Sequence, residues 1–197
     1  RNDGPQTHII KKAGTPTMGG VLIIFSVFFS SVLWADLQNY FVWIGLLALI
    51  GFGFIGFIDD FKKIKSNSSN GLKAITRIIL QIVFSLIISL IILKMLDDQI
   101  DTTISFPFFK NLIINFGYLY LLISLFILVG SANAVNLTDG LDGLAIVPVM
   151  IVAMTFAFIA YVSGNIVFSE YLLINYIPGT GELSVLCGAL IGSALGF

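Results

Sequence analysis

Long runs of apolar residues that contain no charged side chain constrain the fold of this chain more than any other feature. A membrane-spanning helix needs about 20 consecutive apolar residues. By that measure the runs predict six spans, near 18–35, 37–58, 76–95, 117–135, 144–164 and 183–197. The third includes Arg77 and Lys94 at its ends, because long basic side chains can reach the membrane surface. Charged residues make up only 11% of the chain, far below the roughly 25% of soluble domains. We therefore predict an all-α fold, a polytopic transmembrane helix bundle that forms one integral membrane domain over residues 1–197.

The charge and cysteine content narrow the class of protein further. The net charge is −1 and no basic cluster is interleaved with aromatic residues, so no nucleic-acid partner is indicated. The single cysteine, Cys187, cannot form an intrachain disulfide.

An apolar run reaches the last residue, and membrane proteins rarely finish inside a span. We therefore expect this chain to be a fragment of a longer protein.

Lysine and arginine are concentrated in alternate polar segments, which predicts the orientation in the membrane. The segments 1–17 and 59–76 carry most of these residues, whereas the linkers near 94–110 and 170–182 are net acidic or lack basic residues. Because cytoplasmic loops carry the excess of positive charge, the first two segments are predicted to be cytoplasmic. Counting spans in alternation adds 136–143 to the same side. Three polar segments are therefore predicted to meet at one membrane face.

Two further patterns predict local packing. β-branched and aromatic residues at 102–106 and 112–116 flank Pro107, which is typical of a small β-hairpin. In the last span three glycines recur at four-residue spacing, Gly188, Gly192 and Gly196. Small residues at that spacing predict a close-packing face for another helix, either in the same chain or in a partner subunit such as the second copy of a homodimer.

The segment 133–145, with the sequence NAVNLTDGLDGLA, ends the fourth apolar run with a dense set of polar side chains. Carboxylates near hydrocarbon are costly and more often functional than structural. Asn133, Asn136, Asp139 and Asp142 recur at every third residue, so a helix or a tight helical turn brings them roughly onto one side. Their oxygen atoms suit Mg²⁺, a hard cation. The alternative is a polar helix cap that contains two aspartates.

Two adjacent carboxylates, Asp59 and Asp60, follow the second apolar run where it leaves the membrane. Lys63 lies four residues after Asp59 and three after Asp60, so on a helix its ammonium group can face either carboxylate. We interpret these three residues as a second candidate site. The alternative is an interfacial end of a span, stabilised by an ion pair.

A third candidate site precedes the first span, in the sequence KAGTPTMGG at 12–20. Binding of a phosphate requires hydrogen-bond donors. This segment supplies the Lys12 ammonium group, the threonine hydroxyls, including that of Thr17, and the glycine amides. The segment lacks the spacing of a P-loop, so nucleotide hydrolysis is not indicated. A turn that enters a helix with Thr17 as its cap is the alternative.

Together the three segments offer carboxylates for a divalent metal and a proton, and basic residues for phosphate oxygens. Catalysis of phosphoryl transfer consists mostly of positioning and charge neutralisation, which these groups supply. The residues alone therefore predict a metal-dependent enzyme that acts on phosphorylated substrates at the cytoplasmic membrane surface.

At these segments the sequence resembles the bacterial phospho-N-acetylmuramoyl-pentapeptide transferases, or translocase I, of the polyprenyl-phosphate sugar-1-phosphate transferase superfamily. GTPTMGG at 14–20, DDxxK at 59–63 and NAVNLTDGLDGLA at 133–145 occur in the family's order. The resemblance implies a ten-helix fold, six helices of which are present, in the bacterial inner membrane with a cytoplasmic active site. It also implies Mg²⁺-dependent transfer of phospho-MurNAc-pentapeptide from UDP-MurNAc-pentapeptide to undecaprenyl phosphate, which gives lipid I and UMP in peptidoglycan synthesis.

The resemblance further implies roles for individual residues. Asp59, Asp60 and Asp139 are implied to be catalytic, with Asp59 the carboxylate that deprotonates the lipid phosphate. The residues implied to bind substrate or phosphate are Lys12, Thr17, Lys63, Arg77, Asn133, Asn136 and Asp142. Asp139 and Asn136 are implied to be metal ligands, while the family's main Mg²⁺ ligand and its histidine-rich loop are expected beyond residue 197. Arg77 stands where we expect a lysine, which keeps the charge but changes the donor geometry.

Three other functions stay open at the level of sequence. Within the superfamily, the donor could be UDP-GlcNAc or a related UDP-sugar. A membrane transporter or channel also carries aspartates in its helices, although here they cluster at one end of the spans and none lies in the middle. A non-catalytic membrane scaffold would account for the glycine face of the last span.

Overall fold

The structure, a computed structural model, describes residues 18–66, 71–95, 102–106, 109–138 and 144–197. Within these residues the chain forms seven α-helices, one short 3-10 helix and one two-stranded sheet. The helices are α1 (Gly19–Trp34), α2 (Tyr40–Ser66), α3 (Ala74–Met95), α4 (Leu119–Thr138), α5 (Ile146–Ser163), α6 (Ile166–Leu172) and α7 (Leu183–Gly196). The strands are β1 (Thr103–Phe106) and β2 (Phe109–Asn115), and the 3-10 helix is Thr180–Glu182.

Four of these helices are long and apolar enough to cross a membrane. They are α2, α3, α4 and α5, with 27, 22, 20 and 18 residues. The apolar helix α1, with 16 residues, and the apolar stretch Thr180–Gly196 are shorter. Each of the six predicted spans overlaps one of these helices. The predicted class, an all-α polytopic membrane protein, is confirmed.

Helix α2 packs against several of the other helices in the described part of the chain. It packs against α1, α3 and α7, while α3 also packs against α4, and α5 packs against α7. Val27 of α1 and Val42 and Leu46 of α2 are almost fully buried. Many other large apolar side chains face outward, among them Trp34 and Phe126, each 81% exposed. This distribution suits helices whose outer surface is covered by lipid tails as apolar as the side chains themselves.

Strands β1 and β2 form the predicted hairpin between α3 and α4. Thr103 pairs with Asn115 and Ile104 with Ile114 in antiparallel register, and the turn that contains Pro107 lies outside the described residues. The hairpin closes one end of the antiparallel pair formed by α3 and α4. The opposite end, where α2 and α4 finish and α3 begins, carries the polar residues of the candidate site.

The glycine face of α7 has no described neighbour. A Cβ atom added at Gly188, Gly192 or Gly196 would meet no described atom within 4 Å. Helix α7 packs against α1, α2 and α5. The partner predicted for the glycine face, a helix of the same chain or of a second copy, therefore stays a prediction.

Candidate active site

Helix α2 carries the two aspartates on an extension beyond its apolar part. A helix of 27 residues is about 40 Å long, whereas the hydrocarbon core of a bilayer is about 30 Å thick. All of its charged residues lie in the last two turns, from Asp59 onward. The predicted loop 59–76 was therefore too long, because α2 continues to Ser66 and α3 begins at Ala74. The change from apolar to charged residues marks where the span ends, which is not where the helix ends.

Lys63 bridges the two aspartates. Its Nζ atom contacts Asp59 Oδ2 and lies 2.9 Å from Asp60 Oδ1. The spacing of four and three residues along α2 allows the ammonium group to reach both carboxylates from one side of the helix. The sequence had left open which carboxylate Lys63 would face, and the structure shows that it faces both.

The two carboxylates differ in exposure and in their other contacts. The Asp59 side chain is 9% exposed, and its Oδ1 atom also accepts a hydrogen bond of 2.7 Å from the backbone N–H of Leu72. The Asp60 side chain is 49% exposed and lines a cleft. Asp60 is therefore the carboxylate that is more open to a ligand.

This cleft lies between α2, α3 and α4 and has a volume of about 1380 Å³. Its charged and polar lining consists of Asp59, Asp60, Lys62, Lys63, Ser66, Lys73, Arg77, Gln81, Ser131 and Asn136. Its apolar lining consists of Ala48, Phe52, Ile55, Leu72, Leu128, Ala132 and Val135, with Gly56 and Gly71 between them. Four cations and two carboxylates thus share one opening, which continues along the helices into their apolar parts.

Arg77 contributes a buried donor to the cleft. The side chain starts from the first turn of α3, and its Nε atom is buried without a hydrogen-bond partner among the described residues. A buried, unpaired guanidinium nitrogen is costly, because its N–H has lost water and gained no acceptor. An anion bound in the cleft would supply that acceptor.

The two asparagines of α4 have different surroundings. Asn136 is exposed and lines the cleft. Asn133 donates hydrogen bonds from Nδ2 to Gln81 Oε1, at 2.7 Å, and to the backbone oxygen of Val129, at 2.8 Å. Asn133 therefore holds α4 against α3, and its amide nitrogen is already engaged within the protein.

Gln81 is a cleft residue that the sequence analysis missed. It is 5% exposed and lies one turn after Arg77 on α3. The pattern that could have revealed it is a polar stripe at four-residue spacing on an apolar helix, formed by Arg77, Gln81, Ser85 and Ser89. A stripe of this kind indicates a face turned away from lipid.

Four of the predicted site residues lie outside the described part of the chain, namely Lys12, Thr17, Asp139 and Asp142. Their meeting with the cleft therefore stays a prediction. In the described ranges, no three His, Cys, Asp or Glu side chains form a group that could hold a metal ion. The oxygen atoms of Asp60 and Asn136, both in the cleft lining, are of the type that Mg²⁺ prefers.

These features define a multi-pass membrane protein with a cleft at one end of its spans, where cations and carboxylates lie together. The chain belongs to glycosyl transferase family 4, whose family model matches residues 42–197. Residues 12–24, which contain the predicted Lys12 and Thr17 segment, match signature 1 of the phospho-N-acetylmuramoyl-pentapeptide-transferases.

Two relatives match the chain over its whole length. The phospho-N-acetylmuramoyl-pentapeptide-transferase of Pelagibacter ubique (strain HTCC1062) is 55% identical over 197 residues. The protein of the same name from Rhodopseudomonas palustris (strain BisB18) is 50% identical over 198 residues. The chain spans 55% of the length of each of these relatives. The resemblance predicted from the three motifs is thereby confirmed.

Proposed function

We propose that this protein catalyses Mg²⁺-dependent transfer of phospho-MurNAc-pentapeptide from UDP-MurNAc-pentapeptide to undecaprenyl phosphate, with lipid I and UMP as products. The observation that carries the proposal is the cleft that joins Asp60, Lys63, Arg77 and Asn136 at the end of apolar helices. The family membership and the names of the two relatives support the same activity.

The charges of the cleft suit a reaction between two phosphate compounds. In the net reaction an oxygen of the lipid phosphate bonds to the sugar-bearing phosphorus of the donor, and the bond from that phosphorus to UMP breaks. Both reactants are anions, so their approach needs cations. Lys62, Lys63, Lys73 and Arg77 supply four of them in the described lining, and such neutralisation is most of what phosphoryl-transfer enzymes contribute.

Mg²⁺ is part of the proposal, and the donor atoms of the cleft fit it. Asp60 has a half-exposed carboxylate, Asn136 adds an amide oxygen, and the sequence predicts Asp139 nearby. Hard oxygen ligands of this kind, together with phosphate oxygens of the substrate, are typical of protein-bound Mg²⁺. When bound, the ion would neutralise charge on the diphosphate.

The apolar part of the cleft suits the lipid acceptor. From the aspartates the lining continues along α2 through Ile55, Phe52 and Ala48, with Leu128 of α4 opposite. A phosphate at the polar end of the cleft can thus be attached to a hydrocarbon chain that stays in the bilayer. The distribution of lysine and arginine supports a site on the cytoplasmic side of the membrane, which we propose to be the bacterial inner membrane.

The proposal can be tested with membranes from cells that express the open reading frame encoding this sequence. The membranes are incubated with undecaprenyl phosphate, Mg²⁺ and one labelled donor, either UDP-MurNAc-pentapeptide or UDP-GlcNAc. We expect label in the lipid fraction from the muramoyl donor only. Label from UDP-GlcNAc alone would assign the protein to the other donor. Ion flux through proteoliposomes without lipid labelling from either donor would indicate a transporter and contradict the proposal.

A further inference from the structure

Asp59 and Asp60 are neighbours in sequence but not equivalent in the structure. Successive residues of an α-helix point about 100° apart, because 3.6 residues complete one turn. The Asp59 side chain is turned toward the backbone that follows α2 and is 9% exposed, whereas that of Asp60 is 49% exposed. Two carboxylates in one motif therefore have two different surroundings.

Both oxygens of Asp59 already have partners inside the protein. Oδ1 accepts the Leu72 N–H at 2.7 Å, and Oδ2 contacts the Lys63 ammonium group. A carboxylate that accepts a backbone N–H and an ammonium group is held in its ionised form. Taking a proton from a substrate would neutralise the charge that attracts the Lys63 ammonium group and strengthens the hydrogen bond from Leu72.

The chain returns to Asp59 at a glycine. A Cβ atom added at Gly71 would overlap the Asp59 carboxylate and lie 2.8 Å from Lys63 Cε. Glycine therefore lets the backbone approach closely enough for the hydrogen bond from Leu72 to form without displacing the Asp59 and Lys63 side chains. Helix α3 begins at Ala74, so the Asp59 contact sets the position from which Lys73 and Arg77 enter the cleft.

We propose that Asp59 is a positioning residue, which fixes the Gly71-Leu72 backbone and Lys63 to the end of α2, while Asp60 is the carboxylate that contacts the bound substrate or its metal. This differs from the role that the family resemblance implies for Asp59, deprotonation of the lipid phosphate. The proposal rests on the proposed function for its kinetic test, but not for its thermal test.

The thermal test compares Asp59→Ala, Gly71→Ala and the double variant in detergent without substrate. Asp59→Ala removes the carboxylate that contacts Leu72 and Lys63, and Gly71→Ala displaces the same carboxylate. We therefore expect each single substitution to lower Tm and the double variant to unfold at the temperature of the less stable single variant. Tm of Asp59→Asn is expected to stay close to that of the wild type, because an amide oxygen can still accept the Leu72 N–H. Glu170→Gln, an exposed carboxylate on α6, is the matched control. Additive losses of Tm in the double variant would overturn the positioning role, whether or not the protein is a transferase.

The kinetic test measures kcat, KM and the pH profile of UMP release. Asp59→Asn is expected to retain activity within about tenfold of the wild type, since a neutral hydrogen bond replaces a charge-assisted one. Asp59→Ala and Gly71→Ala are expected to lose about a hundredfold, and the acid limb of the pH profile is expected to persist in Asp59→Asn. Loss of that limb in Asp59→Asn, with the activity of this variant as low as that of Asp59→Ala, would make Asp59 the base and overturn the proposal. Absence of UMP release from the wild type would refute the proposed function and leave the thermal test intact.

Discussion

The carboxamides of Asn133 and Gln81 are hydrogen-bonded across the interface of α3 and α4, with 2.7 Å between Nδ2 and Oε1. Gln81 is buried in the wall of the cleft, and Asn136 follows Asn133 by one turn on the same helix. The bond therefore ties the end of α4, and with it Asn136, to the helix that carries Arg77. A polar contact between two membrane helices here serves both packing and the geometry of the site.

Substitution of either partner is expected to destabilise the protein modestly. A double-mutant cycle with Gln81→Ala and Asn133→Ala should give a coupling energy of about 1 kcal/mol, the usual size of a hydrogen bond between membrane helices. Chemical unfolding in detergent measures it. The pair Ser89 and Ser124, with 2.7 Å between the hydroxyl oxygens, is the control for function. Ser89→Ala should lower stability but leave donor binding unchanged, whereas Gln81→Ala should weaken both. Equal effects of the two substitutions on donor binding would contradict this prediction.

Arg77 is expected to contribute to binding of the UDP-linked donor. Arg77→Gln should weaken that binding about 10- to 100-fold, because a hydrogen bond to a charged group contributes about 1.5 to 3 kcal/mol. The affinity of Arg77→Lys for the donor should lie between those of the wild type and Arg77→Gln, since lysine keeps the charge but lacks the planar guanidinium group. Isothermal titration in detergent measures the affinities. Lys94→Gln, at the other end of α3, should bind the donor like the wild type. Unchanged affinity in Arg77→Gln would remove this residue from the site.

Substitution of Asp60 is expected to change the dependence of UMP release on Mg²⁺. A chelator should abolish UMP release, and added Mg²⁺ should restore it. In Asp60→Asn the Mg²⁺ concentration for half-maximal activity should rise about tenfold or more, as is common when a group near a metal is replaced. Titration of activity with Mg²⁺ measures the change, with Glu170→Gln as the control. An unchanged Mg²⁺ requirement in Asp60→Asn would separate this carboxylate from the metal.

Gly51 is expected to be required for the packing of α2 against α3. An added Cβ atom would overlap the ring of Phe84, which itself meets Phe52 edge to face. Gly51→Ala should therefore cost about 1 to 3 kcal/mol of stability, as overpacked cores do. At Gly130 no described atom lies within 4 Å of such a Cβ atom, so Gly130→Ala should be neutral or stabilising by up to about 1 kcal/mol. Chemical unfolding in detergent measures the stability of both variants. Equal stability would contradict a role of Gly51 in the packing of α2 against α3.

The helices could be predicted from sequence because lipid imposes a simple rule on them. A charge-free run of sufficient length has to be helical in a bilayer, where every backbone polar group needs a partner within the segment. The ends of the helices were less certain. Helix α2 runs eight residues past Ile58, the end of the predicted span, because backbone hydrogen bonding continues after the side chains become charged.

The site could be predicted in part for a related reason. Charged and amide side chains at the end of a span stand out, so the sequence indicates Asp59, Asp60, Lys63 and Asn136, all of which line the cleft. Contacts between segments distant in sequence could not be predicted in this way. Nothing in the sequence indicates that Leu72 donates to Asp59, thirteen positions earlier, or that Asn133 meets Gln81, fifty-two positions earlier. These contacts distinguish a residue that holds the site together from one that faces the cleft.

The proposed function requires two phosphate compounds to react in the cleft between α2, α3 and α4. The most direct measurement is the release of UMP from UDP-MurNAc-pentapeptide by the purified protein, with and without undecaprenyl phosphate and Mg²⁺. We predict sustained release only when the lipid and the metal are both present, with one lipid-linked product for each UMP and a large loss of rate in Arg77→Gln. Sustained release without the lipid, or an unchanged rate in Arg77→Gln at low donor concentration, would refute a reaction between the two phosphate compounds in this cleft.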